Sequence, residues 1–300
     1  MMMVEDAGGS DEGGLAVPGD GNDKAEISNL KSNLFKELEM KDLGNLKYFL
    51  GIEVLRSQHG IFICQKKYVL DFLAETGMVY CKPADTPMIP NQKLYMEDEA
   101  ELADKGQYQR MVGKLIYLAH TRPDIAHVVG VVSQFMHQPQ VHHMEAVFRI
   151  IRYLKKTPGH GVVFRKNGYL ETQIYTDASW AGEKGDRKST SGFFSIIGGN
   201  LVAWKSKKQK VVSLSSAESE FRGIAKGVVE ALWIKKLLTE IGFPPKESIQ
   251  ILCDNEADIA ISENPVQHDR TNKKDLFILS QFRYSQDNIG IKHITDRSQH

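Results

Sequence analysis

Three acidic residues stand where chemistry could be done. Asp177 closes the alternating stretch "QIYTDASWAG", Glu220 lies in "SSAESEF", and Asp254 closes the short apolar run "SIQILCDN". They are remote in sequence, so only a fold can bring them together. Side by side at a sheet edge they would form an oxygen-rich cluster, and carboxylates suit Mg²⁺ or Mn²⁺ over softer metals. Two such ions can activate a water and stabilise the leaving oxygen in phosphodiester cleavage. Each residue also has a plainer reading. Asp at a strand end is common turn chemistry, Asp254-Asn255 can cap a following helix, and a helical Glu is usually solvated. An aspartyl-phosphate transferase built on Asp177 is a further reading, but that chemistry wants an Asp two residues on, and position 179 is Ser.

A second group is basic. "WKSKKQKVV" sets Lys205, Lys207, Lys208 and Lys210 beside Trp204. Lysines with an aromatic suit a nucleic-acid backbone and a stacked base; a solvated basic turn is the plain reading. Arg187 and Lys188 follow Asp177 and can add to the charge. Ser213, Ser215 and Ser216 are candidate helix N-caps, with Glu218 available for a capping box. His142-His143 opens a helix, where adjacent residues do not share a face, so the pair is not read as a chelate. His268, ahead of Asp269-Arg270, is a candidate proton shuttle.

Among the elements that must position these residues, Ala25 to Met40 has helical spacing of Ile27, Leu30, Leu34 and Leu38. "LKYFLGIEVLRSQHGIFICQ" reads as two strands joined at Gln58-His59-Gly60, and "KKYVLDFLAETGM" as a helix with Gly77 near its end. A proline-bearing connection over 82–101 leads to three helical stretches, "QYQRMVGKLIYLAH", "RPDIAHVVGVVSQFMHQ" and "HHMEAVFRIIRYLKKT". In the last, Phe148, Ile151, Tyr153 and Leu154 form a core or packing face. A boundary is set between about 158 and 162, at Pro158-Gly159. Beyond it, "GVVFRKNG" and "LETQIYTD" read as strands and "TSGFFSIIGGNLVAWKS" as a hairpin turning at Gly198-Gly199-Asn200. "SSAESEFRGIAKGVVEALWIKKLLTEIG" is a long helical stretch, read as one helix or as two broken near Gly227. Strands, helix, strand and helix in this order predict an α/β fold with a mixed sheet.

The 300 residues suffice for two domains. Charged residues make up 25%, with Lys+Arg and Asp+Glu both at 38, so any phosphate affinity must come from local clusters rather than from net charge. Cys64, Cys81 and Cys253 form no C-x-x-C pair, which argues against a disulfide framework or a cysteine zinc site and suits a reducing, intracellular setting. No apolar run is long enough to cross a bilayer, and "MMMVEDAGGS" lacks the features of a secretory signal. Residues 1–24, rich in Gly and Asp, read as a disordered or unrelated leader.

The blocks "YTDASWAG", "DRKSTSGFFSIIGGNLVAWKSKKQKVVSLSSAESEFRGIA" and "LCDNEADIAISENPVQHDRT" resemble the ribonuclease H domain of copia-type LTR retrotransposon Pol polyproteins. "EMKDLGNLKYFLGIEV", "YQRMVGKLIYLAHTRPDIAHVV" and "HHMEAVFRIIRYLKKTPGHGVVF" resemble the end of that polyprotein's reverse transcriptase and its connection to ribonuclease H. The resemblance implies a ribonuclease H-like mixed sheet with flanking helices over 162–300, preceded by a mostly helical thumb and connection remnant over 25–158. It implies hydrolysis of the RNA strand of an RNA–DNA hybrid with two Mg²⁺ (or Mn²⁺), and it makes Asp177, Glu220 and Asp254 the first three metal ligands. Glu218 is the alternative to Glu220, whose Glu-aromatic-x-x-Ile-Ala context fits the family helix better.

Two departures qualify this. The family's Tyr-x-Asp-Asp polymerase motif should precede "NDKAEISNL", and Asp6, Asp11 and Asp20 do not reproduce it; polymerase activity is not expected. The family's fourth acidic residue, in an Ala-Asp block, should follow "IGIKHITDRSQH", where the chain is expected to be truncated; Asp275 and Asp296 are possible substitutes. The alternative expectation is therefore an inactive retrotransposon relic that retains nucleic-acid binding through Lys205 to Lys210.

Overall fold

The structure is a computed structural model that describes residues 28, 32, 45–90, 92, 94–182, 186–254 and 289–293. The helix expected over 25–40 lies outside the described residues apart from 28 and 32, as does the leader.

The first half pairs a small sheet with a helical layer. Strands β1 (Tyr48–Phe49), β2 (Ile52–Ser57) and β3 (Gly60–Cys64) form an antiparallel meander. The β2–β3 turn is Gln58-His59, with Ser57 opposite Gly60, as the sequence predicts. Helices α1 (Lys66–Glu75), α2 (Lys105–Leu118), α3 (Pro123–Val132) and α4 (Val141–Lys156) follow. Each lays an apolar stripe into one core holding Phe72, Tyr108, Leu115, Ile125, Val147, Ile151 and Leu154. Phe148 and Tyr153 pack partly buried at its margin. Pro123 starts α3 because its missing N–H would lack a helical partner there in any case. Ahead of it, the buried Arg122 donates to both Asp124 carboxylate oxygens at 2.9 and 2.7 Å and to the Thr157 carbonyl at 2.8 Å. That pairing ties the start of α3 to the end of α4.

Strand β4 (Gly161–Arg165) corrects the sequence reading. Read with the second half, it instead pairs antiparallel with β3 and completes the first sheet, in the order β1-β2-β3-β4. The chain passes from one sheet to the other between Arg165 and Thr172, beyond the 158–162 boundary. Local alternation marks a strand but does not name its partner.

The second sheet is mixed, as expected. Strands β5 (Thr172–Ser179), β6 (Thr190–Ile197) and β7 (Asn200–Lys208) are an antiparallel meander; β8 (Ile249–Cys253) and β9 (Ile289–His293) add in parallel on the other side of β5, in the order β7-β6-β5-β8-β9. The β6–β7 turn is Gly198-Gly199, both at positive φ, a conformation glycine adopts without steric penalty. Helix α5 (Ser216–Glu240) crosses this sheet and closes a core of Ile174, Ile224, Val228, Ala231, Ile234, Ile249 and Ile251. It is unbroken at Gly227, so the reading as one long helix holds and the alternative of two does not. The glycine serves close approach instead: a Cβ there would lie 2.6 Å from Thr176 Cγ2.

The halves dock through one face of β7. Trp204 Nε1 donates to the Ala119 carbonyl at 2.9 Å, at the end of α2, and Ser206 Oγ lies 3.0 Å from His127 Nδ1 on α3.

Candidate active site

The parallel register of β5 and β8 brings two of the acids together. Tyr175 is paired with Leu252, so two residues further on Asp177 stands level with Asp254. The preceding Thr176 and Cys253 are buried, and strand alternation turns both aspartates outward, where they are exposed. The carboxyl ends of strands in such sheets are where ligands bind.

Helix α5 supplies the third. Ser215 caps it, its Oγ accepting from Glu218 N at 3.1 Å. Glu218 is occupied at the cap: its carboxylate accepts from Leu214 N at 2.7 Å and from Arg222 Nη2 at 2.9 Å. Glu220, two residues on and half-buried, is the glutamate that reaches the aspartates. One carboxylate oxygen from each of Asp177, Glu220 and Asp254 lies within 4.8 Å of the other two. Ionised carboxylates at such separations repel by about 1 kcal/mol per pair in water and by several-fold more where solvent is excluded. A divalent cation among them offsets that repulsion, and an all-oxygen donor set suits Mg²⁺ or Mn²⁺.

A buried network missed in the sequence joins the segments next to Asp177 and Glu220. Gln209, just past β7, donates from Nε2 to Ser191 Oγ at 2.7 Å and to the Ser219 carbonyl at 2.9 Å, and its Oε1 accepts from Ser213 Oγ at 2.9 Å. Its backbone N–H donates to the Ser189 carbonyl at 2.8 Å, and Ser189 Oγ accepts from Ala181 N at 3.2 Å. Trp180 Nε1 donates to the Ser213 carbonyl at 3.0 Å. The one sequence signal was a neutral amide in a run of lysines. Of the three candidate capping serines, Ser215 caps and Ser213 belongs to this network.

The basic segment divides by face. Lys205 and Lys207 are exposed on one face of β7, and Lys210 is exposed beyond its end. Lys205 lies near Glu230 of α5, whose carboxyl is pushed upward by burial against the opposing effect of that lysine. Lys208 pairs with Asp186 at 3.0 Å, and Lys188 pairs with the same carboxylate. Burial disfavours the Asp186 carboxylate, but hydrogen bonds from Lys208, Lys188 N and Lys188 Nζ together hold it below its ordinary range. Trp204 departs from the expectation: alternation puts it on the opposite face from Lys205 and Lys207, where it bonds to Ala119 between the halves. Arg187 is exposed, with φ +56°.

His143 is structural. It is buried, stacked on Phe135 with ring centroids 3.7 Å apart, its Nδ1 accepting from Gln140 N and its Nε2 facing the Tyr95 carbonyl at 3.1 Å. His268, Asp269, Arg270, Asp275 and Asp296 lie outside the described residues.

Residues 18–90 match the family described as reverse transcriptase (RNA-dependent DNA polymerase). The retrovirus-related Pol polyprotein from transposon RE1 of Arabidopsis thaliana is 44% identical over 250 residues, covering 83% of this chain and 17% of that protein. The corresponding polyprotein from tobacco (Nicotiana tabacum) transposon TNT 1-94 is 37% identical over 266 residues, covering 85% and 20%. An uncharacterised mitochondrial protein of Arabidopsis thaliana is 38% identical over 213 residues, covering 71% of this chain and 88% of that protein. The chain belongs to the retrovirus-related Pol family of transposons.

This Pol-family chain spans a fifth or less of the length of the two polyproteins. The matched stretch of 18–90 begins inside the segment read as a leader and runs through β1, β2, β3 and α1. Ribonuclease H1 of Halobacterium salinarum NRC-1 aligns with 42% of the chain and 86% of its own at 15% identity, with a TM-score of 0.29.

Proposed function

We propose that the chain carries the ribonuclease H part of a copia-type Pol protein, behind the end of its reverse transcriptase, and hydrolyses the RNA strand of an RNA–DNA hybrid. The observation that carries the reading is the convergence of Asp177, Glu220 and Asp254, with carboxylate oxygens within 4.8 Å at the ends of β5 and β8. Membership of the Pol family supports the same reading. In it the three carboxylates hold Mg²⁺, or Mn²⁺ in its place. Bound there, such ions would activate a water and stabilise the leaving oxygen of a phosphodiester.

The chain's own residues have distinct parts. Asp177 and Asp254, exposed at the strand ends, leave the scissile phosphate a path to the cluster. Glu220 closes it from the helix side. Lys205, Lys207 and Lys210 draw in the phosphate backbone, in a salt-dependent manner. Polymerisation is outside the reading, because no Tyr-x-Asp-Asp precedes "NDKAEISNL".

The test is a hybrid carrying label on either strand, incubated with the chain in Mg²⁺. The expected outcome is release of RNA fragments alone, abolished by chelation and by Asp177→Asn. Salt-sensitive hybrid binding without cleavage would replace this reading with that of an inactive relic.

A further inference from the structure

The acid-bearing elements do not reach one another through the acids alone. Asp177 is followed by Ser179, Trp180 and Ala181, where the chain leaves β5 with Ala181 at φ +45°. Glu220 sits one residue beyond Ser219, in the first turns of α5. Between these segments lies the side chain of Gln209, 4% exposed.

Both hydrogens of its amide nitrogen are used, one on Ser191 Oγ of β6 and one on the Ser219 carbonyl of α5. Its amide oxygen accepts from Ser213, ahead of the helix cap. Through its backbone N–H it holds Ser189, which in turn holds Ala181 behind Asp177. The indole of Trp180 closes the loop on the Ser213 carbonyl. Gln209, through its side-chain amide and its backbone N–H together, thus joins the chain leaving Asp177 to the helix turn bearing Glu220. A buried polar network in which these bonds are all made fixes one geometry, since breaking any of them strands a desolvated group.

We infer that Gln209 is a positioning residue that sets the spacing between Asp177 and Glu220 and so the affinity of the cluster for a divalent cation. The inference rests on the metal reading above. The side-chain amide of Gln209 acts through Ser191, which pairs with Ala178 beside Asp177, and through Ser219 and Ser213. Gln209→Met keeps the length and apolar volume of the side chain and removes all three amide hydrogen bonds. Residues that orient metal ligands from behind typically change affinity by about ten- to a hundredfold when replaced.

The experiment titrates the full chain with Mn²⁺ and follows the free-ion signal by electron paramagnetic resonance, with thermal melting in parallel. The expected result is that Gln209→Met raises the half-saturating Mn²⁺ concentration about tenfold or more. Tyr108→Phe, which removes the hydroxyl donor to the Val132 carbonyl in the other core, lowers the melting temperature and leaves half-saturation unchanged. If Gln209→Met does not fold, Ser191→Ala decides, removing a single bond of the network with a smaller shift in the same direction. Wild-type half-saturation in a folded variant overturns the inference while leaving the metal reading standing. A wild-type chain with no Mn²⁺ uptake sensitive to Asp177→Asn overturns both.

Discussion

Asp177 and Asp254 stand side by side because Tyr175 pairs with Leu252 two residues earlier in a parallel ladder. That register, with helix α5 supplying Glu220, brings one oxygen of each of the three carboxylates within 4.8 Å of the others. Like charges this close work against the fold. Asp177→Asn and Asp254→Asn should therefore reduce hybrid cleavage by at least about a hundredfold. Asp177→Asn should not lower the metal-free melting temperature, since it removes a carboxylate that lies beside two others and relieves like-charge repulsion of about 1 kcal/mol per pair in water. Cleavage assays paired with calorimetric melting check this; a large fall in stability would mean that the carboxylates are structural.

Gly227 carries the second prediction. Alanine is the better helix former by about 1 kcal/mol, yet its Cβ would sit 2.6 Å from Thr176 Cγ2. Overpacking of this kind costs typically about 1–3 kcal/mol, so Gly227→Ala should be net destabilising. Thr176→Ser removes the obstructing methyl, and the double variant should regain most of the loss. Denaturant midpoints of the four chains measure the coupling. Additive effects would show that α5 does not rest on Thr176.

His143 gives a pH dependence. Burial, with His142 adding to it and the Tyr95 carbonyl opposing, lowers its pKa to about 4 from the ordinary 6.5. The geometry agrees: Nδ1 accepts the Gln140 N–H and has no room for a proton of its own. Between those two values the unfolded chain binds a proton that the folded chain does not. Stability should thus fall as pH drops from about 6.5 towards 4 and level off below. The urea-midpoint advantage of wild type over His143→Gln should therefore shrink as pH falls through this window. Parallel profiles would assign the acid sensitivity elsewhere.

The lysines separate by face. Lys205→Gln and Lys207→Gln should each weaken hybrid binding and reduce the salt slope by about one. Trp204→Phe should leave that slope unchanged and instead loosen the docking to Ala119, seen as faster amide exchange at the α2 end. A flattened salt slope in Trp204→Phe would put the indole back at the nucleic acid.

These contrasts mark how far the sequence could be read. The two aspartates were visible as weak local signals, each late in a strand-like run, and the family resemblance singled them out together with Glu220; the β6–β7 turn was legible because two glycines announce positive φ. The choice of Glu220 over Glu218 came from the family pattern. The structure adds the physical reason, since Glu218 is held by Leu214 and Arg222. What failed depended on distant partners. Nothing near Gly227 reveals Thr176 across the helix–sheet contact, so the sequence left one helix or two open there. Nothing near residue 161 reveals that β4 pairs with β3. Trp204 looked like a neighbour of the lysines because adjacency in sequence is opposition in a strand. Gln209 was hidden because its partners come from three separate segments.

The central claim is that Asp177, Glu220 and Asp254 form a divalent-cation site, and anomalous scattering from crystals grown in Mn²⁺ tests it most directly. The account predicts an anomalous peak bounded by the three carboxylates that disappears in Asp177→Asn. Crystals saturated with Mn²⁺ whose anomalous map is empty at that position would contradict it.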